Sequence, residues 1–267
     1  MMHLRRSLTA LRFVLIVVAA MLLTAGCGDD EQSTSKSSST TEKAEVAGSE
    51  TASSADSDDS ADTADTAATG GGSNAKLTGC NEDVAMPTVV AKRNDMYSTA
   101  PTAKLDADTT YTVRFTTNKG SFDVLLDPKA GPVAAANMAC LAQAGFYDGI
   151  VFHRVMEGFM VQTGDPTGTG TGGPGYAIAD DEVDSTYPRG TVAMANAGPG
   201  TGGSQFFVVQ GTEVGLPPDY AVFGSVDDEG MKTIDAIASV PVSASPSGEP
   251  SMPKQPIRIT SAKLIVG

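Results

Sequence analysis

Residues 145–165 read GFYDGIVFHRVMEGFMVQTGD, and residues 194–207 read MANAGPGTGGSQFF. Both blocks set short apolar runs between glycines, which is typical of short β-strands separated by tight turns. The first block predicts strands at Val151–Arg154 and Phe159–Gln162, and the second predicts a glycine-rich loop that leads into a strand at Phe206–Val209. The middle of the chain is therefore expected to be a β-structure that carries a His–Arg pair.

The same pattern continues on both sides of these blocks. Further strands are predicted at Tyr111–Phe115, Phe122–Leu126, Val192–Ala195, Ala221–Val226 and Pro256–Val266. Helices are predicted at Pro132–Ala144, between a starting proline and a terminating glycine, and at Glu229–Ala238, where apolar residues share one face. Many short strands with two helices favour a mostly β fold, a closed antiparallel barrel without free edges, although periodicity alone does not distinguish it from a sandwich.

A third block, LPPDYAVFG at residues 216–224, completes a set of long motifs in a fixed order. Together the three blocks resemble the cyclophilins, a family of peptidyl-prolyl cis-trans isomerases, over residues 109–266. The resemblance implies a closed eight-stranded antiparallel β-barrel capped by two α-helices. It also implies an enzyme that accelerates the isomerisation of X–Pro bonds, and the third block is most similar to bacterial members.

The chemistry that the resemblance implies requires no nucleophile, metal or cofactor. Amide resonance opposes rotation about a peptide bond with a barrier of about 18–20 kcal/mol, and uncatalysed X–Pro exchange takes tens to hundreds of seconds. A catalyst must hold the proline ring in an apolar pocket and stabilise the twisted bond, whose nitrogen becomes pyramidal and gains a lone pair. A guanidinium donor aimed at that lone pair favours the transition state over the ground state.

The resemblance assigns roles to individual residues. Arg154 matches the catalytic arginine, Gln162 matches the glutamine that orients it and contacts substrate, and His153 matches a member of the site. The proline pocket, the backbone contacts to the peptide and the rim match Phe159, Met160, Phe207, Leu216, Ala195, Asn196, Gln205 and Tyr220. Outside these motifs, Arg154 would be a surface ion-pair residue, His153 a structural histidine and the aromatic residues core. The sequence departs from many members at Tyr220, where they have histidine, and at Glu157, where they have proline.

The composition excludes other classes of function. The chain carries a net charge of −14 and has no basic stretch beyond its first residues, so it lacks the cationic surface of a nucleic-acid binder. His153 is the only histidine besides His3, which argues against a histidine-based metal site. Ser204 lacks the second glycine of a Gly-x-Ser-x-Gly elbow, and the glycines of residues 170–175 lack the strand–helix context of a dinucleotide site. The sequence predicts no metal and no cofactor.

Residues 1–27 have the pattern of a secretion signal. Arginines precede an apolar run from Phe13 to Leu23, which suits a signal-peptide core and is too short to span a bilayer. The run ends in LTAGC, which resembles the lipobox of bacterial lipoproteins with Cys27 as the lipid anchor; an ordinary cleaved signal is the alternative. Residues 28–75, rich in serine, threonine, alanine and acids, predict a disordered acidic linker. An N-terminal extension (76–108) and the isomerase domain (109–267) follow.

Two cysteines remain beyond Cys27, namely Cys80 in the extension and Cys140 in the first predicted helix. Disulfides persist in the compartment to which a signal peptide leads, and two cysteines allow one intramolecular pairing. The alternatives are a disulfide that fastens the extension to the domain, or one buried and one free thiol. The distance between the two Cα atoms, within about 7 Å for a disulfide, decides between them.

These observations predict an extracytoplasmic peptidyl-prolyl isomerase, lipid-anchored to the cell membrane, monomeric, which assists the folding of exported proteins by acting on their proline-containing segments. The alternative is a peptide-binding scaffold or holdase chaperone with incidental isomerase activity. A solute-binding lipoprotein of a transporter is a third class, but it requires two α/β lobes, and the chain after the linker is too short and too rich in predicted strands for that.

Overall fold

The computed structural model describes residues 76–81, 84–183 and 186–267. The predicted leader (1–27) and linker (28–75), including Cys27, lie outside the described residues. Within the described ranges, no helix combines the length and apolar character needed to cross a membrane.

The described residues form ten strands, two α-helices and one short 3-10 helix at Val90–Arg93. The strands are β1 (Tyr111–Thr117), β2 (Gly120–Leu126), β3 (Arg154–Met156), β4 (Met160–Thr163), β5 (Thr191–Met194), β6 (Phe206–Val209), β7 (Val222–Ser225), β8 (Val242–Ala244), β9 (Pro250–Pro253) and β10 (Ile259–Val266). The helices are α1 (Pro132–Gln143) and α2 (Asp228–Ala238). The two predicted helices and the eight predicted strands are present, with bounds that differ by at most three residues.

Eight strands form one curled antiparallel sheet in the order β10-β1-β2-β7-β5-β6-β4-β3. The prediction of a mostly β fold with two helices is therefore confirmed. The predicted closure into a full barrel is not shown, because the end strands β3 and β10 are not neighbours in this order. The residues before β3 are joined to the start of β10 and the residues before it by backbone hydrogen bonds, from Gly149 N to Ile259 O (2.7 Å), from Phe152 N to Ile257 O (2.9 Å) and from Ile259 N to Ile150 O (2.9 Å).

The two faces of this sheet bury two separate apolar clusters. Side chains alternate between the faces along β4, β5 and β6. Those that point into the curl join a large cluster, the inner core, whose members from these strands are Val161, Val192, Met194, Phe206 and Val208. Those on the opposite face form a smaller cluster, the outer cluster, with Met160, Ala193, Phe207 and Val209, to which Tyr187 also belongs. The outer cluster is the part of the fold that positions the site.

Helix α1 packs against the inner core and is buried on nearly every side, with Ala134 to Ala142 all buried. Its first turn has no capping side chain of its own, and the carboxylate of Asp181 accepts hydrogen bonds from Val133 N (2.9 Å) and Ala134 N (2.8 Å) instead. At its end Gly145 adopts a φ of +72°, and Phe146 N donates to Leu141 O (2.9 Å), the pattern of a Schellman cap.

The N-terminal extension is joined to α1. A disulfide joins Cys80 to Cys140, whose Cα atoms are 5.1 Å apart, so the structure takes the first of the two alternatives for these cysteines. The buried guanidinium of Arg93 donates to carbonyl oxygens just after α1, including Phe146 O at 2.8 Å. Further along, Tyr97 N donates to Pro174 O (2.9 Å). The extension therefore connects α1 to the loop around Pro174.

Strands β8 and β9 form a separate two-stranded hairpin that the sequence analysis did not predict. The hairpin contains Pro246, Pro250 and Pro253 and is directly preceded by Pro241. Proline normally argues against a strand because it lacks a backbone donor. Ser245 N donates to Glu249 O (2.7 Å) and Gly248 N donates to Ser245 O (2.8 Å), which closes a tight turn between the two strands.

Candidate active site

A cavity of about 650 Å³ opens on the outer face of the sheet. Most predicted site residues line it, namely His153, Arg154, Phe159, Met160, Gln162, Ala195, Asn196, Phe207, Leu216 and Tyr220. Gln205 lines an adjoining cavity of about 590 Å³, which shares Gln162, Ala195 and Asn196 with the first. One wall of the first cavity was not predicted and comes from the β8–β9 hairpin, with Ser245, Pro246, Ser247, Glu249, Ser251 and Met252.

Strand register places the central residues of the site in one row. Arg154 on β3 is paired with Gln162 on β4, and Gln162 is paired with Phe207 on β6. Phe207 is in turn paired with Ala193 on β5. Directly paired residues point to the same face of a sheet with their Cβ atoms about 5 Å apart. The row therefore runs from a cation, through an amide, to an aromatic ring across three strands, and ends at Ala193 on a fourth.

The apolar end of the row has the chemistry of a small-ring pocket. Phe207 is only 4% exposed, and its ring meets that of Tyr220 edge to face with centroids 5.3 Å apart. Met160 is buried beside it, and Phe159 and Leu216 are half-buried at its border. These side chains suit the apolar pyrrolidine ring of proline.

The guanidinium of Arg154 is held by a carboxylate of the hairpin. Its Nε donates to Glu249 Oε2 and its Nη2 donates to Glu249 Oε1, both at 2.7 Å. This bidentate contact raises the pKa of Arg154, and the hydrogen bond from Arg154 lowers the pKa of Glu249. The Arg154 Cζ atom also lies 5.8 Å from the centroid of the Phe159 ring, within cation–π range. The cation therefore lies at the border of the apolar pocket with its charge intact.

Gln162 is bonded to Gln205 and not to Arg154. Its Nε2 donates to Gln205 Oε1 (2.9 Å), and Gln205 Nε2 donates to Gly170 O (3.0 Å) and Gly172 O (2.9 Å). The two glutamines therefore join the row to the loop of residues 165–175. The guanidinium of Arg154 is therefore hydrogen-bonded to Glu249 and not to Gln162, the residue to which the resemblance assigned its orientation.

The loop of residues 165–175 is fixed from two sides. The carboxylate of Asp165, which is 1% exposed, accepts hydrogen bonds from Thr167 N (2.7 Å), Thr169 N (3.0 Å) and Gly170 N (2.6 Å). From the extension, Asn94 Oδ1 accepts from Gly173 N (2.9 Å). The border of the site is therefore held both by the isomerase domain predicted at residues 109–267, through Asp165, and by the preceding extension, through Asn94.

His153 is buried at its ring nitrogens, and neither nitrogen has a hydrogen-bond partner. Burial lowers the pKa of this histidine, which favours the neutral ring at pH 7. The hydroxyl of Ser204 donates to Gly164 O (2.6 Å), so it is not engaged by His153 as a serine nucleophile would be. Within the described ranges, no group of three or more His, Cys, Asp or Glu side chains could hold a metal ion.

Comparisons with known proteins agree with this geometry. Residues 112–264 match the model of the family described as cyclophilin type peptidyl-prolyl cis-trans isomerase/CLD. A probable peptidyl-prolyl cis-trans isomerase B of Mycobacterium tuberculosis is 40% identical over 168 residues, which cover 57% of this chain and 54% of that protein. Peptidyl-prolyl cis-trans isomerase B of Streptomyces anulatus is 44% identical over 144 residues, covering 47% of this chain and 82% of that protein.

Solved structures point the same way. A crystal structure of a cyclophilin-type isomerase from Cryptosporidium parvum superimposes with a TM-score of 0.52 at 30% sequence identity, covering 59% of this chain and 98% of that chain. The chain spans only about half of the length of the M. tuberculosis relative, 54%. The family model nevertheless covers more than half of the present sequence, from the start of β1 almost to the end of β10. The chain therefore belongs to the cyclophilin-type peptidyl-prolyl cis-trans isomerase family.

Proposed function

We propose that this chain is an exported peptidyl-prolyl cis-trans isomerase, in which Arg154 stabilises the twisted transition state of an X–Pro bond. The observation that supports this most is the row of Arg154, Gln162 and Phe207 across β3, β4 and β6. It sets a cation beside an apolar pocket with the chemistry that a proline ring needs.

The proposed reaction has three parts. The proline ring enters the pocket formed by Phe159, Met160 and Phe207, where it excludes water from the bond that rotates. The backbone of the substrate extends along Ala195 and Asn196, towards the adjoining cavity that these residues share with the first. As the bond twists, resonance is lost and the prolyl nitrogen gains a lone pair. A guanidinium N–H of Arg154 donates to it, which lowers the barrier because the planar ground state offers no such acceptor.

The test is the rate of cis–trans exchange of a short Ala–Pro peptide with the full-length chain and its Arg154→Ala variant, measured by NMR. Loss of one preorganised donor is expected to lower the catalysed rate by about 10²–10³-fold. Arg114→Ala is the matched control, because Arg114 makes the same two-bond contact to Asp123, at 2.8 and 2.7 Å, on exposed positions of β1 and β2. Near-normal activity of a folded Arg154→Ala protein would contradict the mechanism.

The same Arg154→Ala variant, tested in aggregation and refolding assays, separates the isomerase from the alternative of a peptide-binding holdase. A holdase would suppress aggregation of an unfolding protein equally well with or without the Arg154→Ala substitution, since only binding matters. We expect the Arg154→Ala variant to retain peptide affinity and to lose acceleration of a proline-limited refolding reaction. A parent chain that suppresses aggregation but does not accelerate the refolding reaction would favour the holdase.

The proposed compartment is the outer side of the cell membrane, with Cys27 as a lipid anchor. Two features support it: the signal-like pattern of residues 1–27 and the Cys80–Cys140 disulfide, which is of the kind found in oxidising compartments. Its clients would then be proline-containing segments of exported proteins. Cys27→Ser is expected to move the protein from the membrane fraction to the soluble fraction, and a variant that still sediments with membranes would contradict the anchor.

A further inference from the structure

The turn of the β8–β9 hairpin, residues 245–249, places a carboxylate against the catalytic arginine. Glu249 is separated from Arg154 by 95 residues in sequence, yet its two oxygens accept from two guanidinium nitrogens at 2.7 Å each. Both side chains are about one-third exposed, at 35% for Arg154 and 30% for Glu249. The pair is therefore partly shielded from water, and charge-assisted bonds of this geometry are stronger than an exposed ion pair.

The backbone that carries Glu249 is well fixed. The sequence Ser245-Pro246-Ser247-Gly248 has proline and glycine at the second and fourth positions that a type I turn favours, and Gly248 adopts a φ of +87°. Gly248 N bonds to Ser245 O at 2.8 Å, and Glu249 O accepts from Ser245 N at 2.7 Å. The turn therefore fixes the backbone from which the Glu249 side chain reaches Arg154.

The contact uses only one edge of the guanidinium. Nε and Nη2 face Glu249, while Nη1 has no hydrogen-bond partner among the described side chains and backbone. The planar group is therefore held against rotation, and its other edge is free to donate to a substrate atom. Because Gln162 bonds to Gln205 instead, no other described polar side chain holds the guanidinium in this way.

We propose that Glu249 is a positioning residue for Arg154, which holds the guanidinium in the orientation that the twisted X–Pro bond requires. This proposal rests on the proposed function. The hairpin then belongs to the isomerase machinery, although the Glu249 side chain does not contact the reacting atoms.

The experiment compares Glu249→Ala and Glu249→Gln with the parent full-length chain, using NMR exchange of an Ala–Pro peptide to obtain kcat and KM separately. A guanidinium displaced by about 1 Å costs up to about 10²-fold in rate, so we expect kcat of Glu249→Ala to fall about tenfold, with KM changed less than about twofold. Gln keeps one acceptor oxygen but turns its amide donors towards the guanidinium, so its loss is expected to be smaller.

The matched control is Glu157→Gln, which removes one negative charge from an exposed position on the β3–β4 turn close to the site. Glu157→Gln should leave kcat unchanged. The control thereby distinguishes loss of the Glu249–Arg154 contact from loss of a negative charge near the site. Thermal unfolding of each variant identifies any loss of fold, and the conservative Glu249→Gln substitution keeps the test valid if Glu249→Ala unfolds.

The decisive arm repeats Glu249→Ala in the Arg154→Ala background at high enzyme concentration. If Glu249 acts through Arg154, the second substitution has no further effect on the remaining rate. An unchanged or raised kcat of Glu249→Ala would overturn the proposal. So would a decrease in kcat by the same factor in the parent chain and in the Arg154→Ala background. Full activity of Arg154→Ala alone would instead overturn the proposed function, so the two failures are distinguishable.

Discussion

Phe206 and Phe207 are neighbours in β6 and belong to different parts of the molecule. The ring of Phe206 is fully buried in the inner core, where its centroid lies 5.4 Å from that of the Phe115 ring and 5.7 Å from that of the Tyr147 ring. The ring of Phe207 lies in the outer cluster and borders the cavity. One strand therefore supplies both the core that stabilises the fold and the floor of the site, and strand alternation keeps these roles apart.

The two clusters differ in what covers them. The inner core is enclosed by the curled sheet and by α1 and α2, and it includes Tyr97 from the extension. The outer cluster has only five buried members and is bordered by half-buried side chains such as Phe159, Leu216 and Tyr220. An incompletely covered apolar surface can receive a ligand. The comparison indicates that stability and binding can be altered separately.

The largest expected effect comes from Phe206→Ala. Removing a fully buried phenylalanine leaves a closed cavity in the inner core, and we expect the free energy of unfolding to fall by about 3–5 kcal/mol. Phe207→Ala removes the same atoms but leaves a space that opens into the site, so we expect a loss of about 2 kcal/mol. Urea denaturation of both variants measures this difference.

Peptide binding should show the opposite order. Phe207→Ala is expected to weaken the binding of an Ala–Pro peptide clearly, because the proline pocket loses its floor. Phe206→Ala should bind with near-normal affinity at a temperature at which it is still folded. Equal effects of the two substitutions on both measurements would contradict the separation of the two clusters.

The next effect concerns the Cys80–Cys140 disulfide, which fastens the extension to the inner-core side of the domain. Closing a loop of 60 residues is worth at most about 4 kcal/mol in the chain-entropy model. Replacing both cysteines by alanine should therefore lower the free energy of unfolding by about 2–4 kcal/mol. We expect kcat to change little, because Asp165 still holds the loop of residues 165–175 from its other side.

Denaturation with and without a reducing agent provides the control for this prediction. The parent chain should lose stability on reduction, and the variant without the two cysteines should not respond. A parent chain whose stability is the same under both conditions would show that the disulfide does not contribute. A large fall in kcat would show that the extension controls the site.

The sequence predicted most of the fold because its motifs combine periodicity with strong turn signals. Gly145 ends α1 as expected, and Phe206–Val209 is a strand with the predicted bounds. Closure of the barrel was not shown, because it depends on how the ends of the sheet meet, and no local pattern encodes that. The burial of α1 on nearly all sides was also missed, since the extension that covers it lacks a recognisable periodicity.

The sequence predicted residues that line the two cavities, but it did not predict the hydrogen bonds between Glu249 and Arg154 or between Gln162 and Gln205. The predicted residues lie around one pair of adjoining cavities because they occur in continuous motifs. Glu249 was missed because it follows a proline-rich stretch that does not look like a strand, and it reaches Arg154 only through tertiary structure. The signal that could have found it is the Pro-Ser-Gly-Glu sequence, which is typical of a tight turn that presents a charge.

The smallest expected effect is on pH dependence and concerns His153, which lines the cavity. Burial lowers the pKa of this ring in the folded protein, whereas in the unfolded chain the pKa is about 6.5. The unfolded state therefore binds a proton that the folded state does not bind, once the pH falls below about 6.5. Stability is thus fully present above that pH and decreases as the pH falls, by at most about 1.4 kcal/mol per pH unit.

His153→Phe should remove this dependence, because the ring keeps a similar shape without a titratable nitrogen. The carboxylates of Asp165 and Glu249, whose pKa values are lowered in the folded state, also lose stability towards acid, but only near and below the usual carboxylate pKa of about 4. Urea denaturation between about pH 7.5 and about pH 5.5 therefore isolates the histidine. We expect the parent chain to lose stability over this range and the variant to lose clearly less. If the free energy of unfolding depended on pH equally in the parent chain and in His153→Phe, burial would not hold His153 neutral in the folded protein.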